Sequence, residues 1–214
     1  MTGSSIRIAT RTAKRGATLC APRPGRSVSA AALVAALALS TLPARADGYF
    51  IQTDLGPENQ SLVATFAQGR LNYGLNVSAY DDGRAATIST TYALDLGGLA
   101  TLKIGPALRF EQKEVGAEDL DLGLRLSLER YQPTDFGAVY GLAEIGSIDE
   151  TWFLLGQMVL RDGFSFELSR GGSDSYTETT FAVQQQLGDG PVRLRLGYRA
   201  EDTEFFVGLS VNTF

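Results

Sequence analysis

The chain contains no histidine. That removes Ser-His-Asp and Cys-His catalysis, in which an imidazole moves the proton, and it removes His-ligated zinc. It has one cysteine, Cys20, so no intrachain disulfide can form. Cys20 also lies before an apolar stretch rather than at a cleavage point, which excludes it as the acylated cysteine of a lipoprotein. From residue 47 onward no run is apolar for the 18 or more residues that a spanning helix needs, and helical periodicity is nearly absent. Bases are scarce there too. Of 19 Lys and Arg residues, seven (Arg7, Arg11, Lys14, Arg15, Arg23, Arg26, Arg45) precede residue 47, leaving 12 against 24 Asp and Glu. Nucleic acid, which needs basic faces, is therefore not an expected partner, and neither is electrostatic docking on an anionic bilayer. Gly97-Gly98 and Gly171-Gly172 lack the strand–helix setting of a phosphate loop. Acidic pairs such as Asp81-Asp82 and Glu118-Asp119 sit where turns attract Asp. No catalytic residue, metal site or cofactor is expected, and an enzyme is not.

The first 46 residues differ from the rest. They carry the seven bases and no acid, then an apolar stretch from Ala30 to Leu42, then Ala44-Arg45-Ala46. Basic region, short apolar core and A-x-A site read as a cleaved signal peptide over 1–46, with the functional domain over 47–214. The alternative is a disordered basic tail or an anchor.

What fills 47–214 is alternation. Leu120, Leu122, Leu124, Leu126 and Leu128 interleave with Asp121, Gly123, Arg125, Ser127 and Glu129. On a helix that spacing would scatter both sets around the circumference; on a strand it puts them on opposite faces. Leu71 to Ala79, Ala86 to Leu94, Leu102 to Phe110, Phe164 to Leu168, Phe181 to Leu187, Val192 to Tyr198 and Phe205 to Val211 repeat the pattern. The phase of Phe136 to Ile145 is ambiguous, and Trp152 to Leu160 is apolar on both faces until Gln157. About twelve strands are expected, near 48–55, 59–68, 71–80, 84–95, 98–110, 119–132, 135–147, 150–160, 163–170, 175–187, 191–200 and 204–214, with ten as the alternative. The polar faces are rich in Gly, Arg and small residues. That suits a confined wet interior and hence an all-β, antiparallel transmembrane β-barrel.

The closing stretch carries a family likeness. Phe205, Val207, Leu209 and Val211 alternate up to a terminal Phe214, which resembles the last strand of Gram-negative outer-membrane β-barrel (porin-like) proteins. The resemblance implies an outer-membrane location, lipid as solvent, and a barrel-insertion machinery that reads Phe214 as its signal. It further implies termini on the periplasmic side, short inward turns and longer outward loops; the two longest connections, around Val115 and Gly172, fall outward in a twelve-strand count. Phe214 is out of phase with Val211, and a β-bulge would bring it back. Tyr73, Tyr80, Tyr92, Phe110, Tyr131, Phe136, Tyr140, Trp152, Tyr176, Tyr198 and Phe205 are candidates for aromatic girdles.

A charge facing hydrocarbon costs about 2–4 kcal/mol at the midplane, so the polar members should point inward. Lys103, Arg109, Arg125, Glu129, Glu167, Arg193, Arg195 and Arg199 are the candidate lumen-lining residues, with Asn72, Asn76, Asp121, Gln184 and Gln186 beside them. The leading expectation is a small porin-like channel for passive diffusion of small solutes, anionic or sugar-like, through an Arg-lined lumen. A non-conducting structural or surface-interaction barrel closed by Arg–Glu pairs is the alternative, and a soluble secreted β-barrel binding protein the second.

Overall fold

The structure is a computed structural model and describes residues 47–80, 83–113 and 118–214. The signal peptide expected over 1–46 lies outside them, as do the expected turn at Asp81-Asp82 and the connection around Val115. Twelve antiparallel strands close into one barrel: β1 (Gly48–Leu55), β2 (Gln60–Gln68), β3 (Leu71–Tyr80), β4 (Gly83–Asp95), β5 (Thr101–Lys113), β6 (Glu118–Thr134), β7 (Gly137–Gly146), β8 (Trp152–Leu160), β9 (Phe164–Gly172), β10 (Thr177–Gln186), β11 (Val192–Arg199) and β12 (Glu204–Asn212). Each pairs with its sequence neighbours, and β1 pairs with β12 to close the ring. Closure leaves no edge strand with unpaired amides, the condition for a sheet to survive in lipid.

The faces sort as the alternation requires. Leu120, Leu122, Leu124 and Leu128 of β6 are exposed, Leu122 at 78%. They lie on the outer wall with Ile88, Leu154, Leu168, Leu196, Phe205 and Val207, all exposed. The other face holds the buried polar set: Asp54, Asn72, Ser89, Thr91, Ser127, Ser165, Glu167, Ser169, Gln184, Arg195, Arg199, Glu204 and Ser210. A soluble barrel has the reverse polarity. Apolar outside and polar inside is the arrangement whose solvent is hydrocarbon.

Aromatic residues flank the apolar band. Register puts Phe110, Trp152, Tyr198 and Phe205 on the outer wall toward the rim opposite the termini, and Tyr49, Phe66, Tyr73, Tyr92 and Phe164 toward the rim that carries them. Tyr80, Tyr131 and Tyr140 leave the expected girdle. They fall in phase with interior positions, and Tyr80 and Tyr140 hydrogen-bond interior carboxylates, Glu111 and Glu129.

Three other expectations change. Connections are not sorted by length: the turns at 96–100 and 187–191, on the termini side, have five residues each, as many as 147–151 opposite. The expected long outward loops shrink because the ladder runs past their turn residues, with Gln112 facing Glu118 and Gly172 facing Thr177. β5 begins at Thr101 rather than 98, since Gly97 and Gly98 take positive φ (68° and 76°) and are spent in a turn. No bulge rescues Phe214. The β1–β12 ladder is unbroken from Phe50↔Asn212 to Leu55↔Val207. The Phe214 ring instead lies against the Cα of Gly48, where any Cβ would collide with it.

Candidate functional site: the charged interior of the barrel

Strand phase decides what enters the interior. The cross-strand rows Glu167↔Ala182, Gln184↔Arg195 and Arg195↔Gly208 seat Arg195 beside the side-chain-free Gly208 on β12, with Ala182 the small member facing Glu167. Its side chain can therefore reach across its neighbours. Arg195 Nε donates to Asp54 Oδ1 at 2.9 Å on β1, and its Nη1 donates to Glu167 Oε2 at 2.8 Å on β9. Gly208 is what permits this reach, because a Cβ there would collide with Asp54 Oδ1. Gln184 Nε2 donates to Glu167 Oε2 at 3.1 Å, and Ser210 Oγ donates to Gln184 Oε1 at 3.2 Å. Arg195 is 1% exposed. One basic group held by two carboxylates, one of which also accepts from an amide, makes a dry network across β9–β12 and β1, the form in which such a buried charge is tolerated.

A second knot sits closer to the rim opposite the termini. Arg199 Nη1 donates to Glu204 Oε2 at 2.5 Å. Glu204 Oε1 accepts from the backbone N–H of Glu58 at 2.7 Å and of Asn59 at 3.0 Å. The carboxylate thus ties the first connection to the last strand. Phe206 lies between both knots, its ring centroid 5.8 Å from the Arg195 guanidinium carbon and 4.8 Å from that of Arg199, a cation–π pairing. Gly197 leaves room for that ring.

The facing wall, β4 to β8, is different. Lys103 pairs with Glu129 at 2.6 Å, and Glu129 Oε2 also accepts from Tyr140 Oη. Arg125 pairs with Glu144 at 2.5 Å. Arg109 pairs with Glu111 at 3.3 Å and with Asp149 at 3.0 Å. Asp149 comes from a 3-10 turn, Ile148–Glu150, in the β7–β8 connection. Ile148 and Ser147 lie over Gly123, which carries no side chain to hold them off. These pairs keep some access: the Lys103, Glu129, Arg125 and Glu144 side chains are 17%, 23%, 29% and 19% accessible. The two ambiguous strands resolve here. Glu144 and Tyr140 fix the phase of β7, so Leu142 faces in, and Phe153 and Leu155 of β8 follow by register. A short apolar strip therefore lies beside the charged pairs.

All eight candidate lumen residues, Lys103, Arg109, Arg125, Glu129, Glu167, Arg193, Arg195 and Arg199, share the interior face. They do not form a bare basic ladder. Five of the six bases carry a carboxylate partner; Arg193 instead donates to Ser165 Oγ at 3.2 Å and Gln186 Oε1 at 3.5 Å. The carboxylate partners that sequence reasoning did not assign are Asp54, Glu111, Glu144, Asp149 and Glu204. Phase could have found Asp54 and Glu204, which alternate with Leu55 and Phe205; the phase of Glu144 was hidden by an apolar run.

No family model matches the chain, and no curated protein matches it. Among solved structures, a KdgM porin aligns at 12% identity with a TM-score of 0.50, covering 78% of this chain and 99% of its own. The barrel has a porin's fold. A second structure, a KdgM porin in complex with disordered oligogalacturonate, aligns over the same shares at 12% identity and a TM-score of 0.49. At this identity the first likeness speaks for the closed barrel alone, and leaves the polarity and the interior chemistry to the residues themselves.

Proposed function

We propose that the chain is a small porin-like channel of the outer membrane, passing small polar solutes by diffusion along the β4–β8 side of its interior. The observation that carries the reading is the asymmetric interior inside an apolar outer wall. Partly accessible pairs (Arg109 with Glu111 and Asp149, Arg125–Glu144, Lys103–Glu129) run from one rim toward the other, opposite a more deeply buried network on β9–β12 and β1. Twelve strands lie between the eight that fill themselves with side chains and the 16–18 that leave a wide channel. Alternating charge signs beside Leu142, Phe153 and Leu155 favour uncharged or zwitterionic solutes, such as sugar-like ones, over strong anions. With no histidine in the chain, the site has no proton shuttle of the triad kind. Insertion machinery reading Phe214 belongs to the same proposal, with the ring standing beside Gly48 at the mouth that carries the termini.

The buried Asp54–Arg195–Glu167 network favours a second reading, a barrel whose interior is closed by ion pairs and conducts nothing. Planar-bilayer recording of the refolded chain separates the two. Discrete steps with a reversal potential near zero, or slightly cation-selective, in a KCl gradient are the expected outcome. Silence in a preparation shown to be inserted establishes the closed barrel, and strong anion selectivity restores a bare arginine-lined path.

A further inference from the structure

Among the described side chains, the charges that strand phase puts on the outer wall are Arg84 of β4, Arg130 of β6 and Arg170 of β9; the backbone register sets Glu118 of β6 in the same row as Arg84, beyond Gln112. Arg84 has a particular setting. One register row beneath it, Val77, Ala86, Phe110 and Leu120 stand side by side on β3, β4, β5 and β6. Ala86 is the small member between Val77 and Phe110, so the row is notched there. An open furrow of about 480 Å³ results, bordered by these four residues together with Arg84 and Gln112. That is the size of an ordinary small-molecule site. Arg84 Nε donates to Gln112 Oε1 at 2.8 Å, and its Nη2 donates to the same oxygen, which fixes the guanidinium over the furrow. Glu111 and Asp119 border the cavity too, but from strand positions in phase with the interior, and the Glu111 carboxylate is engaged by Tyr80 Oη and Arg109.

A fixed cation at the rim above an apolar trough is complementary to one kind of molecule, an anionic head with a hydrocarbon tail. The guanidinium fork matches phosphate oxygens, and Val77, Ala86 and Phe110 match a methylene chain. We propose that this furrow binds a single anionic, phosphate-bearing membrane lipid from the leaflet at the rim opposite the termini, its head on Arg84 and one acyl chain over Ala86. The inference rests on the membrane reading above, and its test keeps the two apart.

The barrel is refolded in detergent and titrated with phosphatidylglycerol or phosphatidylcholine under native mass spectrometry; parallel samples receive inorganic phosphate. The expected result is one retained phosphatidylglycerol per barrel in preference to phosphatidylcholine. Arg84→Gln should weaken that retention about tenfold, the usual effect of removing one charge-assisted hydrogen bond at an accessible site, while Arg130→Gln leaves it unchanged. Ala86→Leu, which fills the notch, should weaken retention of the lipid with Arg84 intact. Gel mobility with and without heating shows that each variant is folded. Equal retention of the two lipids, retention unaffected by Arg84→Gln, or displacement of the lipid by inorganic phosphate overturns the inference. A barrel that enters liposomes and shows no lipid preference refutes the furrow alone; one that fails to enter them refutes the membrane reading beneath it.

Discussion

Arg195 is the residue on which the interior turns. It is a base with two carboxylate partners in a nearly waterless setting, so its loss leaves Asp54 and Glu167 facing each other without a cation. Arg195→Met should lower unfolding stability in lipid by about 3–5 kcal/mol, the range for stranding a buried charge. Neutralising the partners as well, with Asp54→Asn and Glu167→Gln, should recover most of that loss, since the three act as one unit. Urea-induced unfolding in bilayers, followed by tryptophan emission from Trp152, reads both. An Arg195→Met barrel as stable as the parent would show that the network does not hold the wall together. Gly208 belongs to the same unit: its missing side chain is what lets Arg195 and Asp54 meet.

At the scale of elements, the β11–β12 turn is fastened to β10 by Glu201. Its carboxylate accepts from the Thr179 backbone N–H at 2.6 Å and from Thr179 Oγ1 at 3.0 Å. The Thr179 N–H, ahead of the nearby Glu178 side chain, holds the Glu201 carboxyl below the usual glutamate range. A lowered folded value means the clasp contributes fully above the ordinary glutamate pKa and is lost as pH falls through the depressed one. The Thr179 amide resonance should therefore show a titration step with a midpoint below that of a free glutamate, and that step should be missing in Glu201→Gln. Absence of the step in the parent chain would mean that the clasp is not made in solution.

The elements were also what the sequence displayed best. Leu120 to Leu128 and Val192 to Tyr198 gave strand, phase and outer face together, because alternation records which side meets a different solvent. β7 and β8 were opaque for the same reason. Leu142, Phe153 and Leu155 are apolar yet face in, so no contrast marked their sides. Interior partnerships such as Arg195 with Asp54 join residues 141 positions apart, and no local pattern encodes which strands become neighbours across a closed ring. The family likeness seen in the last ten residues extended to the fold, while the in-phase terminal aromatic it implied did not: Phe214 stands on the inner side by Gly48.

For the molecule as a whole, the interior divides between a packed half and a partly accessible one. If the chain conducts as proposed, a bulky group among the more accessible interior residues should narrow passage without disturbing the fold. Leu155→Trp is expected to cut single-channel conductance by a large fraction at unchanged thermal stability, measured in planar bilayers and by heat-modified gel mobility. Unaltered conductance would place the route elsewhere.

A random library of this gene would then sort itself by strand. Lesions along β9 to β12 and in β1 should surface as barrels that fail to accumulate in the envelope. On the proposed channel reading, lesions facing inward from β4 to β8 should leave abundance untouched and change only permeability. Selection on that property would then have one wall it can edit, and another it must keep to have a protein at all.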